Sequence, residues 1–321
     1  MKYRKLGTTG ITVSEISLGC WTLGGDADRG GMGWHGAEEK DAVEAVAYAL
    51  DRGVNHFDNA DVYGMGTAEK MLAKALGKRN KDAVIASKVG WYKGGFEHAY
   101  KAENIRQQLE TSLKNLNREF LDIYYFHNCD FGENDKYLEE GLSEMRKLQK
   151  QGKFRALGLS GYSEADFLRL IPVIKPACLQ SWANILHPEF ILDGSKTAEM
   201  MKKENVSFVA FNPLSRGLLT GKFSSKNPPK FDKNDVRAGM DEFKPENMAE
   251  FEKKFAKIRG KFGDKAENLV RVALQYVLGY NTVACVIPGF RNRAQVEINL
   301  AGADEPLNAE EMKFIEDTFH G

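Results

Sequence analysis

The string HFDNADVYG sets Asp58 five residues before Tyr63, and two later strings, IASKVG and LDIYYFHNCD, contribute Lys88 and His127. A carboxylate, a phenol, an ammonium and an imidazole can together move a proton. Tyrosine alone is a poor acid near neutral pH, because its ordinary pKa is about 10. A lysine ammonium beside it favours the phenolate and is expected to lower that value, while a carboxylate keeps the lysine charged and oriented. With His127 donating a hydrogen bond to a carbonyl oxygen, the set is suited to protonate an alkoxide as hydride reaches carbon. No side chain supplies that hydride, so the chemistry calls for a nicotinamide cofactor.

Taken singly, each residue has an ordinary explanation. A lysine or aspartate just beyond a strand is usually solvated, a histidine at a strand end is usually held structurally, and a tyrosine on a rim is usually packing. Their joint placement argues otherwise. VNHFD at 54–58, AVIAS at 83–87 and LDIYYF at 121–126 read as successive strands, and the four groups stand at or just past their ends. His56 reads as a sheet residue and Asp61 as a loop charge, while His35 stays unassigned.

The remaining chain supplies the frame. ISLGC at 16–20, RALGLS at 155–160, ACLQS at 177–181, VSFVAF at 206–211 and VACVI at 283–287 bring the strands to eight, after an N-terminal hairpin over 2–13. Helical spacing links them: Ala42, Ala45, Val46, Ala49 and Leu50; Ile105, Leu109, Leu113 and Leu116; Leu138, Leu142, Met145 and Leu148; Leu269, Val272, Ala273 and Tyr276. Ser163-Glu-Ala-Asp166 reads as a capping box whose helix Pro172 and Pro176 stop. A further helix is expected over 291–300, and Asn308 is placed to cap an extra C-terminal helix over 309–319. This alternation predicts an α/β fold, a (β/α)8 TIM barrel, in which strand ends share one rim and residues distant in sequence converge on one mouth. Two long loops, 21–38 and 212–245, rise from that rim.

Composition narrows the function classes. The 321 residues could make two domains at roughly 150 residues each, but barrels of roughly 250 residues or more run as one, and a single domain over 1–321 is expected. The 45 Lys+Arg balance 45 Asp+Glu, leaving no general basic field for nucleic acid or an anionic membrane. No long apolar run and no secretory leader is seen, so a cytoplasmic protein is expected. Cys20, Cys129, Cys178 and Cys285 fall in no metal-ligand spacing, and no metal is expected. The sequence delimits no oligomer interface.

The motifs resemble the aldo-keto reductases across nearly the whole chain. HFDNADVYG is similar to that family's second-strand signature, LGCWTLGG to its first-strand segment, FNPLSRGLLTGKF to its seventh-strand loop and VIPGFRNRAQVEINL to its cofactor-binding end. The resemblance implies reduction of a small carbonyl substrate with NADPH, NADH being the second candidate, without a Rossmann domain. Asp58, Tyr63, Lys88 and His127 would be the catalytic tetrad, with Tyr63 the acid. Ser160 and Gln180 would hold the carboxamide, Phe211 would stack on the nicotinamide, and Asn212, Leu214 and Arg216 would follow the pyrophosphate. Arg291, Gln295 and Asn299 would attend the adenosine end, with Arg291 and Arg293 the candidates for a 2′-phosphate. Trp21 and Trp34 would line the substrate pocket.

The sequence departs from the family pattern at Asn59, at Gly161 after Ser160 where asparagine is usual, and at Ile298 where glutamate usually meets adenine. The run from Gly31 to Gly36 formally matches GxGxxG, but it neither leaves a strand directly nor opens a helix, and is read as a lip over the pocket. Two other functions stay open on the same residues: alcohol or sugar oxidation, since the tetrad is reversible, and a nicotinamide-binding regulatory or interaction subunit. A complete tetrad separates the last from an enzyme, because a binding module has no chemical need for it.

Overall fold

The computed structural model describes residues 1–25, 38–226, 228–231, 235 and 237–321. The hairpin pairs β1 (Tyr3–Lys5) antiparallel with β2 (Thr12–Ser14). Eight parallel strands follow: β3 (Leu18–Gly19), β4 (His56–Asp58), β5 (Val84–Val89), β6 (Leu121–Phe126), β7 (Phe154–Ser160), β8 (Cys178–Trp182), β9 (Ser207–Phe211) and β10 (Val283–Ile287). They neighbour one another in chain order. Parallel bridges Ile16–Val286 and Gly19–Gly289 join the last strand to the first, so the sheet closes into the expected barrel.

Helices on the outside connect the strands: α1 (Glu39–Asp51), α2 (Thr67–Leu76), α3 (Ala102–Leu116), α4 (Leu138–Lys150), α5 (Glu164–Ile174), α6 (Lys196–Glu204), α7 (Pro245–Phe262), α8 (Ala266–Leu278), α9 (Arg293–Leu300) and α10 (Ala309–Phe319). Their apolar stripes meet the outward strand residues in one large core, as on α3, where Ile105, Leu109 and Leu116 are fully buried. A second, smaller core fills the barrel. There Ile123, Tyr125, Val209 and Cys285 pack above Leu6, Ile11 and Val13, the hairpin residues that plug one end.

Several local expectations hold and two are corrected. Asn308 and Glu311 make a reciprocal capping box on α10. On α5, Ser163 accepts from the Asp166 N–H, but Pro172 lies inside the helix and does not stop it. Ile174 is fully buried beyond it, and that continued apolar face offsets the one hydrogen bond proline forgoes. The loop expected over 212–245 is interrupted by 3-10 turns at Ser215–Thr220 and Asp241–Phe243, and Pro245 opens α7 as its first residue. Among the described residues no helix is long and apolar enough to cross a membrane, and no group of histidine, cysteine and carboxylate side chains could hold a metal ion.

Candidate active site

Asp58 ends β4, Lys88 is the fifth residue of β5, and His127 directly follows β6, so three adjacent strands bring them to one rim. Lys88 is wholly buried. Its Nζ donates to Asp58 Oδ1 at 2.5 Å, to the Asn59 carbonyl at 2.7 Å and to the Tyr63 oxygen at 3.2 Å, which uses all three of its hydrogens. The other Asp58 oxygen accepts from Gln180 Nε2 at 2.7 Å. His127 stands edge-on to Tyr63, ring centroids 5.9 Å apart. The four residues singled out in the sequence therefore form one contiguous group.

The floor under Lys88 is aromatic. Tyr125 reaches into the barrel with Lys88 Nζ 5.9 Å from its ring centroid. The ring fits because the neighbouring strand offers Gly158, where a β-carbon would lie 2.2 Å from a Tyr125 ring atom. His56, on the same inner face two residues before Asp58, has Nδ1 3.7 Å from Cys285 Sγ, and burial pushes its pKa down to about 4.

The electrostatics correct one expectation. Tyr63 is not drawn toward phenolate: burial first, then the Asp58 charge, push its pKa well above the ordinary tyrosine value. Lys88 is already matched by Asp58, so little positive field is left for the phenol. Tyr63 therefore holds its proton across the neutral range. Burial, with the Lys88 charge behind it, holds His127 well below the usual histidine pKa, so its ring is neutral. Among the described residues its buried Nδ1 has no hydrogen-bond partner. Because an orphaned N–H is costlier than an orphaned lone pair, the proton belongs on Nε2.

Asp61 differs more from its reading as a loop charge. It is buried, its Oδ1 accepts from the Val62 N–H at 2.8 Å, and burial together with nearby Glu69 pushes its carboxyl well above the usual range.

Aromatic side chains stand around this group. Trp91 is 46% exposed with its ring 6.2 Å from that of His127. Tyr162, just past β7, meets Trp182 at 5.2 Å and Phe211 at 6.0 Å. Trp21 lies half-buried in the 3-10 turn Cys20–Gly24 that leaves β3. Trp34, His35 and the glycine-rich run from Gly31 lie outside the described residues. Ser160 ends β7 beside Gln180, its register partner on β8. A β-carbon at Gly161 would lie 2.6 Å from Cys129 Sγ, which explains physically why a larger residue is not accommodated there.

A second group of predicted residues gathers across the rim. After Phe211 the backbone turns sharply, with φ of +55° at Asn212, +46° at Ser215 and +51° at Arg216. Asn212 Oδ1 holds the turn by accepting from the Arg216 N–H at 2.7 Å. Leu214 is half-buried on the outer core, and Arg216 pairs with Glu242 at 2.7 Å. Past the neighbouring strand β10, the Arg291 N–H donates to Gln295 Oε1 at 2.8 Å, and Asn299 Nδ2 donates to the Gly289 carbonyl at 3.4 Å. Arg293 is turned outward, donating to Glu297 and Glu44 and lying over Tyr48.

Two cations between these groups were not singled out in the sequence. Lys222 Nζ would lie 3.2 Å from a β-carbon at Gly217, so it stands against the turn after β9. Arg237 is buried, pairs with Asp235 at 2.7 Å and lies over the Phe231 ring at 4.2 Å. Burial pushes the Lys222 pKa down and the charges of Arg237 and Arg291 push it further. Lys222 is the penultimate residue of the FNPLSRGLLTGKF string and was legible there, whereas Arg237 sits in a polar loop with no periodicity to mark it.

Known proteins are similar to this chain along nearly its whole length. The model of the Aldo/keto reductase family matches residues 15–318. The chain is 29% identical to L-galactose dehydrogenase of Arabidopsis thaliana, over 95% of this chain and 89% of that protein. It is 29% identical to the aldo-keto reductase YhdN of Bacillus subtilis (strain 168), over 98% and 92%. Among solved structures, the glycerol dehydrogenase from Gluconobacter oxydans superposes with a TM-score of 0.79 at 27% identity, covering 98% of this chain and 94% of that one. A Bacillus halodurans aldo-keto reductase in its holo form shares the fold, with a TM-score of 0.76 at 24% identity over 99% and 96%. This chain belongs to the aldo/keto reductase family and is an NAD(P)H-dependent oxidoreductase.

Proposed function

We propose that the protein reduces an aldehyde or ketone with NADPH, that Tyr63 is the general acid, and that the same site runs in reverse on an alcohol or sugar. One observation carries this reading. Lys88 donates to the Tyr63 oxygen at 3.2 Å, and an ammonium has no lone pair with which to accept the phenol's hydrogen. That hydrogen must serve another acceptor, and a substrate carbonyl oxygen in front of Tyr63 is the one the reaction presents. As negative charge builds on that oxygen the phenol gives up its proton, and Lys88 stabilises the phenolate left behind. Asp58 and Gln180 keep Lys88 in place. Neutral His127 donates from Nε2 to the same oxygen and so orients the substrate. Trp21, Trp91 and Tyr162 offer apolar walls suited to an uncharged substrate face.

A bound nicotinamide cofactor supplies the hydride. Ser160 and Gln180 would hold its carboxamide; the Gln180 amide nitrogen is engaged by Asp58, and its oxygen remains to accept. Phe211 would flank the ring, Asn212, Leu214 and Arg216 would follow the pyrophosphate, and Arg291, Gln295 and Asn299 would attend the adenosine end. The crowding of Lys222, Arg237 and Arg291 supports the fit, since an anion among them relieves their mutual repulsion. A guanidinium pairs well with a phosphate monoester, which favours NADPH over NADH.

The test is a cofactor titration followed by turnover on a panel of aldehydes and ketones, with aldoses and glycerol included for the oxidative direction because two relatives are named for such substrates. Tyr63→Phe should keep cofactor affinity and lose about 100-fold to 10,000-fold in kcat. Near-normal turnover would remove Tyr63 as the acid. NADPH binding with no turnover on any substrate would point to a regulatory subunit.

A further inference from the structure

The segments that carry Tyr63 and Lys88 are joined a second time, behind the barrel wall. Glu69, in the first turn of α2, is fully buried. Its Oε1 accepts from Ser87 Oγ at 2.7 Å, and its Oε2 accepts from Asn115 Nδ2 at 2.9 Å. Ser87 immediately precedes Lys88 on β5, so its side chain faces the outside of the strand while Lys88 faces the site.

The other end of this link reaches Tyr63. The Ala68 N–H, one residue before Glu69, donates to the Tyr63 carbonyl at 3.2 Å. The turn between them packs directly on the linked side chains: at Gly66, φ +83°, a β-carbon would lie 2.4 Å from Asn115 Nδ2. Glu69 therefore ties α2, β5 and α3 together where the two segments leave the barrel. A buried carboxyl is costly unless hydrogen-bonded, and Ser87 and Asn115, which bond it, lie behind the barrel wall. Its charge is felt by Asp61 in the β4–α2 loop and by Tyr124 on β6.

We propose that Glu69 is a positioning residue for proton transfer: by bridging Ser87 and Asn115 it fixes the separation of the Tyr63 phenol from the Lys88 ammonium. The inference rests on Tyr63 and Lys88 having the roles given above. It requires only two hydrogen bonds from the Glu69 side chain, and an amide can make both once Asn115 turns its oxygen inward.

The experiment compares wild type, Glu69→Gln, Glu69→Ala, Ser87→Ala and Tyr63→Phe for kcat, cofactor Kd, solvent deuterium isotope effect and melting temperature. Glu69→Ala should lose about 10-fold to 100-fold in kcat, with cofactor Kd within about twofold and a larger solvent isotope effect. Ser87→Ala should move the same way by less, and Glu69→Gln should stay within about threefold of wild type. Wild-type kcat in Glu69→Ala, equal losses in kcat and cofactor affinity, or a glutamine variant as impaired as the alanine one would each overturn the proposal. Should Glu69→Ala fail to fold, unchanged kcat and isotope effect in Ser87→Ala overturn it. Tyr63→Phe separates the two ideas: retained turnover there sinks the acid assignment and this inference with it, whereas lost turnover there beside an indifferent Glu69 sinks this inference alone.

Discussion

The Tyr63 oxygen stands 3.2 Å from Lys88 Nζ, while Asp58 holds the same nitrogen at 2.5 Å. The ammonium thus serves a carboxylate before it serves the phenol. Burial and then the Asp58 charge keep Tyr63 protonated, and in the proposed reaction Lys88 would be in place to meet a phenolate.

The buried Lys88–Asp58 pair should be worth more to activity than to net stability. Removing one partner, as in Lys88→Met, leaves an uncompensated buried carboxylate and should cost about 3–5 kcal/mol. The double variant Asp58→Asn/Lys88→Met should recover much of that loss yet show no turnover. Urea unfolding of the single and double variants checks this, and a single variant within about 1 kcal/mol of wild type would contradict it.

Arg291 should discriminate between cofactors. Arg291→Ala is expected to weaken NADPH far more than NADH in a fluorescence titration, because only the former carries a 2′-phosphate for the guanidinium to pair with. Equal losses would move the phosphate contact to Lys222 or Arg237. Arg293→Ala should change little, since that side chain is half-exposed and already shared between Glu297 and Glu44.

His56 should make the fold acid-sensitive in a defined window. Its folded pKa of about 4 lies below the unfolded value of about 6.5, so between these limits the unfolded chain takes up the extra proton. Stability from this group is present above about pH 6.5 and is lost as pH falls toward 4. Between pH 7.5 and 5.5, wild type should lose roughly 1.4 kcal/mol more than His56→Asn. The raised carboxyls of Asp61 and Glu69 act with opposite sign, losing stability as pH rises through their folded values, but they are common to both proteins and cancel in the comparison. Parallel pH curves for the two would show that His56 does not carry the effect.

The grouping of these four residues was legible because a parallel barrel turns chain order into spatial order. Once VNHFD, AVIAS and LDIYYF are neighbouring strands, Asp58, Lys88 and His127 have no other place to be than one rim. Arg237 and Tyr162 were not legible for the same reason reversed: they sit on irregular loops, where neither a period of 2 nor of 3.6 records direction. Asp61 misled because an aspartate in a polar string looks solvated, and only the fold, which brings Glu69 of α2 near it, makes it buried.

Residue types and spacing determined by themselves that eight short β-branched runs alternate with amphipathic helices, that four ionisable groups stand at or just past the ends of three successive strands, and that the chemistry they suit calls for a hydride source from outside the chain. Tertiary structure alone decided which proton is held where. Desolvation and the separation of charges set the ionisation of Tyr63, His127 and Asp61, and both depend on neighbours such as Gln180, 122 residues from the Asp58 it touches, whose approach no local pattern encodes.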